Sequence, residues 1–466
     1  MNKIRVAIIG AGISGLSAGF FIKEQFKDNA DLTIYEKDFV PGGTIKITRE
    51  NGFTVDWGAN GFLDKEPLTL EFIKSIGLSD KLLPADKTSE KRFIYRNDKL
   101  WEISAHPLKF MKSGLLTFSG RMRIAGEYFV KGKNDDTDET VFDFASRRIG
   151  REAAEILISP MVSGIFGGDA RELSLKACFP IMREMEEMYG GLIKAMLAKK
   201  KEARKSIEKK SGGPAGPSGH LTSFQNGLYT IIEKLHDLLK ENICLSCNIE
   251  SIQRDSEGKY VIESENNKEI FDNLILAIPA YRASQLVKSI DNRITELLAS
   301  IPYSGLAVAC QGYKLDDLET KPDGFGFLIP KNQNRKILGS IWTSTIFPSQ
   351  APEGIALFRT MIGGAGNDDI LNKNDSELAE IAHLELTEIL GIKSKPVFEK
   401  LIRWPRAIPQ YVMGHPEKLD KITNRLGNIP GLYLAGNAYT GVGLNDCIKR
   451  SNEIVERIYQ IHSGGV

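Results

Sequence analysis

Three glycines, at positions 10, 12 and 15, stand between a run that reads as a buried strand (Lys3 to Ile9) and one that reads as a helix (Ile13 to Phe26), and they constrain this chain more than any other feature. The helix packs Leu16, Phe20 and Phe21 inward, and Leu32 to Glu36 reads as a second strand. In Gly10-Ala11-Gly12-Ile13-Ser14-Gly15 the first glycine permits the tight turn and the second lets backbone approach a pyrophosphate. The third lets helix and strand pack closely. The helix N-terminus then supplies N–H donors and the positive end of its dipole to phosphates. Glu36 closes the second strand 21 residues beyond Gly15, where a carboxylate can accept ribose hydroxyls. The chain therefore opens with a dinucleotide half-site on a βαβ unit.

NAD and FAD sites share this opening, and the following residues separate them. Pro41-Gly42-Gly43-Thr44 and Asp56-Trp57-Gly58-Ala59-Asn60 give two further places where backbone can lie against a long cofactor, which FAD requires. The glycines at 167–168 and 363–366 lack the strand-to-helix context of a second nucleotide site, so electrons are expected to leave to O2 or another external acceptor. Gly431 to Asn437 runs as a strand into Gly436, and Gly441-Val442-Gly443-Leu444-Asn445 begins a last helix. Its N-terminus can stabilise the negative charge that reduction places on a flavin ring.

At 466 residues the chain exceeds one growing core, so two or three structural units are expected. Its 61 basic and 60 acidic residues nearly cancel, which leaves no global field for nucleic acid. Five cysteines include one close pair, Cys244 and Cys247, with strand-like flanks and no second pair, so a structural role is expected and no metal site. The chain runs straight into a strand and no apolar stretch reaches about 18 residues, which sets the expectation of a reducing, cytoplasmic location. Apolar spacing is helical over Glu71 to Leu83 and from Phe110 to Arg151, broken by the polar run Lys133 to Glu139. A Gly/Pro run at 212–219 reads as a linker, and apolar runs between Leu306 and Met361 predict a mixed, β-rich unit.

Taken together these features resemble the amine-oxidase-like flavoenzyme superfamily. Three segments narrow the resemblance to the protoporphyrinogen and coproporphyrinogen oxidases. They are Ser163 to Asp169 with Leu173 to Pro180 and Gly190 to Ile193; Pro322 to Pro330 with Thr360 to Gly364; and Gly441 to Ile448. The resemblance implies an α/β fold: a Rossmann-type FAD-binding domain built from discontinuous segments (1–80, 220–290 and 416–466), a helical insert (81–219), and a mixed β-rich substrate domain (291–415). It implies non-covalent FAD held by Gly10, Ala11, Gly12, Ile13, Ser14, Gly15, Glu36, Lys37, Gly42, Gly43, Thr44, Gly58, Ala59, Asn60 and Gly61. Ile249 would lie against the adenine, with Trp404, Gly436, Val442, Gly443 and Leu444 towards the ring.

For the substrate it implies apolar walls from Phe325, Leu328 and Met361 above the Gly164 to Gly168 loop. Oxidation of a porphyrinogen to the porphyrin removes six electrons in three flavin cycles and asks for close approach more than for a strong base, so no catalytic acid or base is named. The propionates want cations. Relatives carry an arginine at a place that aligns with Leu68 here, which leaves Lys65 as the nearest substitute. An amine oxidase and a non-catalytic FAD-bound protein are the rival readings. Cys447 lies in Asn-Asp-Cys-Ile rather than the Ser-Gly-Gly-Cys setting of covalently attached flavins. Basic residues between Lys194 and Lys210, beside Ile193, Met196 and Leu197, fit peripheral contact with the inner face of an anionic membrane or a solvated charge run. A homodimer is left open.

Overall fold

The computed structural model describes residues 3–104, 106–133, 135–205, 219–265 and 267–464. Most of the 212–219 linker, and the end of the basic run from Ser206 to Lys210, lie outside the described residues.

One layer is a parallel sheet of five strands in the spatial order Ile243–Cys244, Ala30–Tyr35, Ile4–Ile9, Asn273–Leu276 and Leu432–Leu434. A parallel sheet is buried on both faces, and the central strand alternates its side chains between two cores. Val6 and Ile8 join a cluster with Leu16, Leu235 and Ile448, whereas Ala7 and Ile9 join one with Tyr35, Leu274 and Ile252. The helices Ile13–Phe26, Thr230–Leu239 and Leu444–His462 cover the first face. Segments far apart in sequence thus close one sheet around the first βαβ unit.

The second sheet has seven strands in the order Phe398–Pro409, Tyr303–Lys314, Ile355–Gly363, Ile337–Trp342, Gly326–Leu328, Phe93–Arg96 and Lys99–Glu102. Ala307, Ala309, Phe358 and Ile362 point to a face covered by the helix Asp375–Leu390. That helix is fixed by a capping box between Asn374 and Glu377 and ends at the left-handed Gly391. Val308, Cys310, Leu357, Arg359 and Met361 occupy the other face, where Phe53, Trp57 and Trp404 pack. The last two strands correct the expectation that residues from 81 onward are helical. Asn97 and Asp98 both adopt positive φ and close a tight hairpin, which pairs Phe93–Arg96 alongside Gly326–Leu328. Leu82–Pro84 is likewise a strand, paired with Leu221–Phe224, rather than the end of a helix.

Helices between Pro107 and Lys205 form the third part. Arg148, fully buried, donates to Glu127 (2.8 Å from Nε) and to Glu186 (3.2 Å), and Glu127 also accepts the N–H groups of Leu192 and Ile193 (2.8 and 2.9 Å). This network explains Gly190-Gly191: Gly190 ends one helix in the left-handed region, and a Cβ on Gly191 would lie 2.1 Å from the Arg148 guanidinium. Among the described residues no helix is long and apolar enough to cross a membrane, and no cluster of three metal-ligating side chains is found. Cys244 and Cys247 are free thiols, Cys244 in the edge strand of the parallel sheet and Cys247 just after it.

Candidate flavin and substrate site

The first helix begins at Gly12, whose backbone is extended and which lacks a side-chain cap, and no acidic residue stands in the first turn. Its N–H groups are therefore available to an anion. Gly15 has to be glycine, since a Cβ there would lie 1.8 Å from the Gly10 carbonyl. Glu36 is 7% exposed; its carboxylate accepts the Ala11 N–H at 2.8 Å and the Asp38 N–H at 3.0 Å. The Gly42 N–H donates to the Ala11 carbonyl (2.8 Å), and Gly12 and Gly43 face each other so that a Cβ on Gly43 would lie 3.4 Å from the Gly12 Cα. Two loops of bare backbone thus flank the helix terminus. Ile249 packs beside this end in the cluster that holds Ile9 and Tyr35.

The cradle continues through Thr44 and Gly58, where a Cβ would lie 2.5 Å from the Thr44 carbonyl. Arg359, from the second sheet, donates to the Gly58 carbonyl at 2.5 Å, and Trp404 donates from its indole to the Trp57 carbonyl at 3.2 Å. Beneath them Asp56 accepts the Leu228 N–H (3.0 Å) and the Gln350 amide (3.3 Å). Burial pushes its pKa up to about 6, against the pull of Arg359 and these donors. Asn60 presents a buried side-chain amide nitrogen with no acceptor in the protein. At the far end Gly436 and Gly441 both take positive φ, space is open around the Gly436 Cα, and Gly443 caps the helix Leu444–His462. A helix terminus without a side-chain cap, opposed glycines and an orphan donor at Asn60 fit a long dinucleotide whose second half reaches the sheet boundary.

The predicted residues divide by what they contribute. Ala11, Ile13, Ser14 and Leu444 turn their side chains into the core, so their share is backbone. Lys37 is exposed and lies 3.8 Å from Asp38. Val442 packs with Phe166 and Tyr411, and Ala59 is exposed. Cys447 is buried in the cluster of Ile8 and Leu16, against the first helix.

Leu328 and Met361 stand in one cross-strand row, Leu328–Gly339–Met361–Val308. Leu328 also meets the insert, since a Cβ on Gly164 would lie 2.8 Å from it. Gly168 is enclosed by Gln410 and Leu173, and Lys65 is exposed beside the Asp446 carboxylate. The side chain that sequence reasoning missed is Arg92. Its guanidinium lies 5.3 Å from the Phe325 ring centroid and, among the described residues, makes no ion pair or side-chain hydrogen bond. Only the pairing of two distant strands brings Arg92 to Phe325, and no local signal announces it.

A glycine-lined dinucleotide cradle that runs on to an apolar sheet face defines a flavin-dependent oxidoreductase. The chain belongs to the flavin containing amine oxidoreductase family, whose profile matches residues 13–458. It is 29% identical to the coproporphyrinogen III oxidase of Staphylococcus aureus, over 97% of this chain and 98% of that one. It is 30% identical to protoporphyrinogen oxidase 1, chloroplastic, of Arabidopsis thaliana, over 96% and 86%. A crystal structure from Exiguobacterium sp. 255-15, provisionally named a protoporphyrinogen oxidase, superimposes with a TM-score of 0.84 at 25% identity, covering 99% of this chain and all of that one.

Proposed function

We propose that the protein oxidises a porphyrinogen, protoporphyrinogen IX or coproporphyrinogen III, to the aromatic porphyrin of heme synthesis, with O2 as terminal acceptor. Bound FAD supplies a two-electron sink for each of three cycles. The observation that carries the reading is the row Leu328–Gly339–Met361–Val308, an apolar stretch of a sheet face whose Arg359 is turned to the Gly58 carbonyl, with Arg92 above Phe325 at the start of the adjoining strands. Such a face suits a large electron-rich macrocycle carrying carboxylates at its rim.

In this reading Gly10 to Gly15, Glu36, Gly42 to Thr44 and Gly58 to Gly61 hold the cofactor. The Gly443 N–H is taken by the Asp446 carboxylate (3.1 Å), so it is the backbone of the 441–444 turn, with Val442 and Leu444, that lies towards the ring. The walls orient the bridging carbon of the macrocycle and exclude water, and Arg92 holds a propionate in place of Lys65. No protein base is needed at the reacting carbon.

The test is a fluorescence assay of the purified protein with each porphyrinogen, since only the aromatic products emit strongly. Oxygen-dependent appearance of porphyrin emission with one or both is expected. No emission from either rejects the assignment.

A further inference from the structure

Gln410 and Tyr411 follow directly on the strand Phe398–Pro409, and both are buried, at 6% and 3% exposure. The Gln410 side-chain amide donates to the Phe166 carbonyl (2.8 Å) and to the Ser304 hydroxyl (3.1 Å), with the Ile408 carbonyl at 3.0 Å. Ser304 itself donates to Phe166 (3.2 Å), and the Gln410 side-chain oxygen is where a Cβ on Gly168 would fall, at 2.4 Å. Residues 164–166, expected as a loop, are the last turn of the helix Ser159–Phe166, which ends at the left-handed Gly167, and one amide therefore pins this helix end and Gly167–Gly168 to the strand Tyr303–Lys314, which carries Val308 of the wall.

Tyr411 extends the same connection to the other side. Its carbonyl accepts the Ser174 N–H (2.8 Å), and its ring lies parallel to His415 at 4.4 Å between centroids and 6.1 Å from Phe166. Its hydroxyl donates to the Asn437 carbonyl. Asn437 follows Gly436 in the loop that leads to Gly441, Val442 and Gly443. This hydrogen bond ties the 436–443 loop to the connection that follows the strand Phe398–Pro409. His415, 1% exposed, lies flat against the tyrosine ring and supports it.

We propose that Gln410 and Tyr411 are positioning residues that set the loop at the flavin ring in register with the floor of the substrate chamber. They touch neither reactant, and they fix the separation between the two surfaces that hold them. The claim rests on the proposed reading of the site. Transfer from carbon to a flavin falls steeply when the reacting atoms are misplaced by a fraction of an ångström, so loss of this register lowers the chemical step more than binding.

Tyr411→Phe keeps the ring, the stack on His415 and the contact with Phe166, and deletes the hydroxyl that meets the 436–443 loop at Asn437 and Gly441. On FAD-loaded protein, anaerobic stopped-flow reduction by saturating porphyrinogen is expected to slow about tenfold or more, with KM changed less than about twofold. The visible circular dichroism of the flavin and its midpoint potential, read with a chemical reductant, are expected to shift while FAD content stays at the wild-type level. If Tyr411→Phe does not retain FAD, Gln410→Asn, which keeps an amide and withdraws it by one methylene, is read in the same way.

Reduction at the wild-type rate overturns the proposal, whatever the spectrum. If the wild type oxidises neither porphyrinogen, the assignment of function fails by itself. The spectrum and potential then decide: unchanged values overturn the positioning role, and shifted values sustain it.

Discussion

The carboxylate of Glu36 is compensated by two backbone N–H groups, whereas Asp56 is buried with its charge only partly balanced by Arg359. Glu36→Arg places a cation where the Ala11 and Asp38 N–H groups converge, so it is expected to purify largely without FAD, read from the flavin-to-protein absorbance ratio. Stoichiometric FAD in that variant would displace the ribose contact from Glu36. Asp56 and His415 oppose each other in acid. The pKa of Asp56 is raised by burial from 3.8 to about 6, so the native state holds a proton the unfolded chain lacks, and stability from this group is lost as pH rises through that window. The pKa of His415 is lowered by burial from 6.5 to about 4, so its contribution is lost as pH falls through the window. Each is worth about 3 kcal/mol across its range. Asp56→Asn is therefore expected to lose urea resistance more steeply than the wild type between about pH 6 and 4, and His415→Phe less steeply. Parallel pH profiles for all three proteins would contradict this. The turn Gly10 to Gly15 and the place of Glu36 at the end of its strand were legible in the sequence because they follow from local backbone geometry. The contacts of Arg92, Gln410 and Tyr411 were not, because each meets partners far along the chain, and nothing about an arginine or a tyrosine in isolation names them.

Elements with a strong local period were read closely: the helix Ile13–Phe26 matches its expected bounds, and Tyr303–Lys314 and Ile355–Gly363 contain the predicted apolar runs. The hairpin Phe93 to Glu102 escaped because short strands inside a helical stretch carry little period, and only the turn residues Asn97 and Asp98 mark it. In the insert, Glu127 both neutralises Arg148 and caps the helix Leu192–Lys205. Glu127→Ala leaves the buried Arg148 guanidinium with Glu186 as its one carboxylate partner and strips the cap from Leu192 and Ile193, and is expected to cost about 3 kcal/mol, read by denaturant unfolding. A loss below about 1 kcal/mol would show the network to be dispensable. The outer side of this region exposes Phe118, Met122, Phe129 and Leu197, and Lys194 lies 5.3 Å from the centre of the Tyr128 ring. Apolar side chains beside a lysine-rich helix fit an anionic membrane surface. Salt-sensitive co-sedimentation with anionic liposomes is expected, and it should disappear when the lysines become glutamine and Phe129 becomes serine. Sedimentation unchanged by those substitutions would remove the role from this face.

At the scale of the molecule, the proposed site requires two sheets to meet correctly, one carrying the cofactor and the other the wall. Phe325→Ala and Met361→Ala are expected to lower kcat/KM about tenfold or more with the flavin spectrum intact, since about 1.4 kcal/mol of lost positioning is tenfold. Normal turnover in both would defeat the pocket. Arg92→Ala should mainly raise KM, and more for coproporphyrinogen, with four propionates, than for protoporphyrinogen, with two. The order of strands in the parallel sheet also bears on how the protein is made. Ile4–Ile9 and Ala30–Tyr35 are synthesised first, yet Leu432–Leu434 and the helix Leu444–His462, which shares the core of Val6 and Ile8, come last. At about 5–20 residues per second, roughly 20 to 90 s separate the first strands from their final neighbours. Throughout that interval the nascent chain carries a sticky, half-covered sheet on the ribosome, and the βαβ unit that looks ready for its cofactor has no partner surface to hold it. Flavin capture is accordingly expected to be completed only when the segment from Leu432 to His462 has closed the sheet, so a chain truncated before Leu432 should not retain FAD.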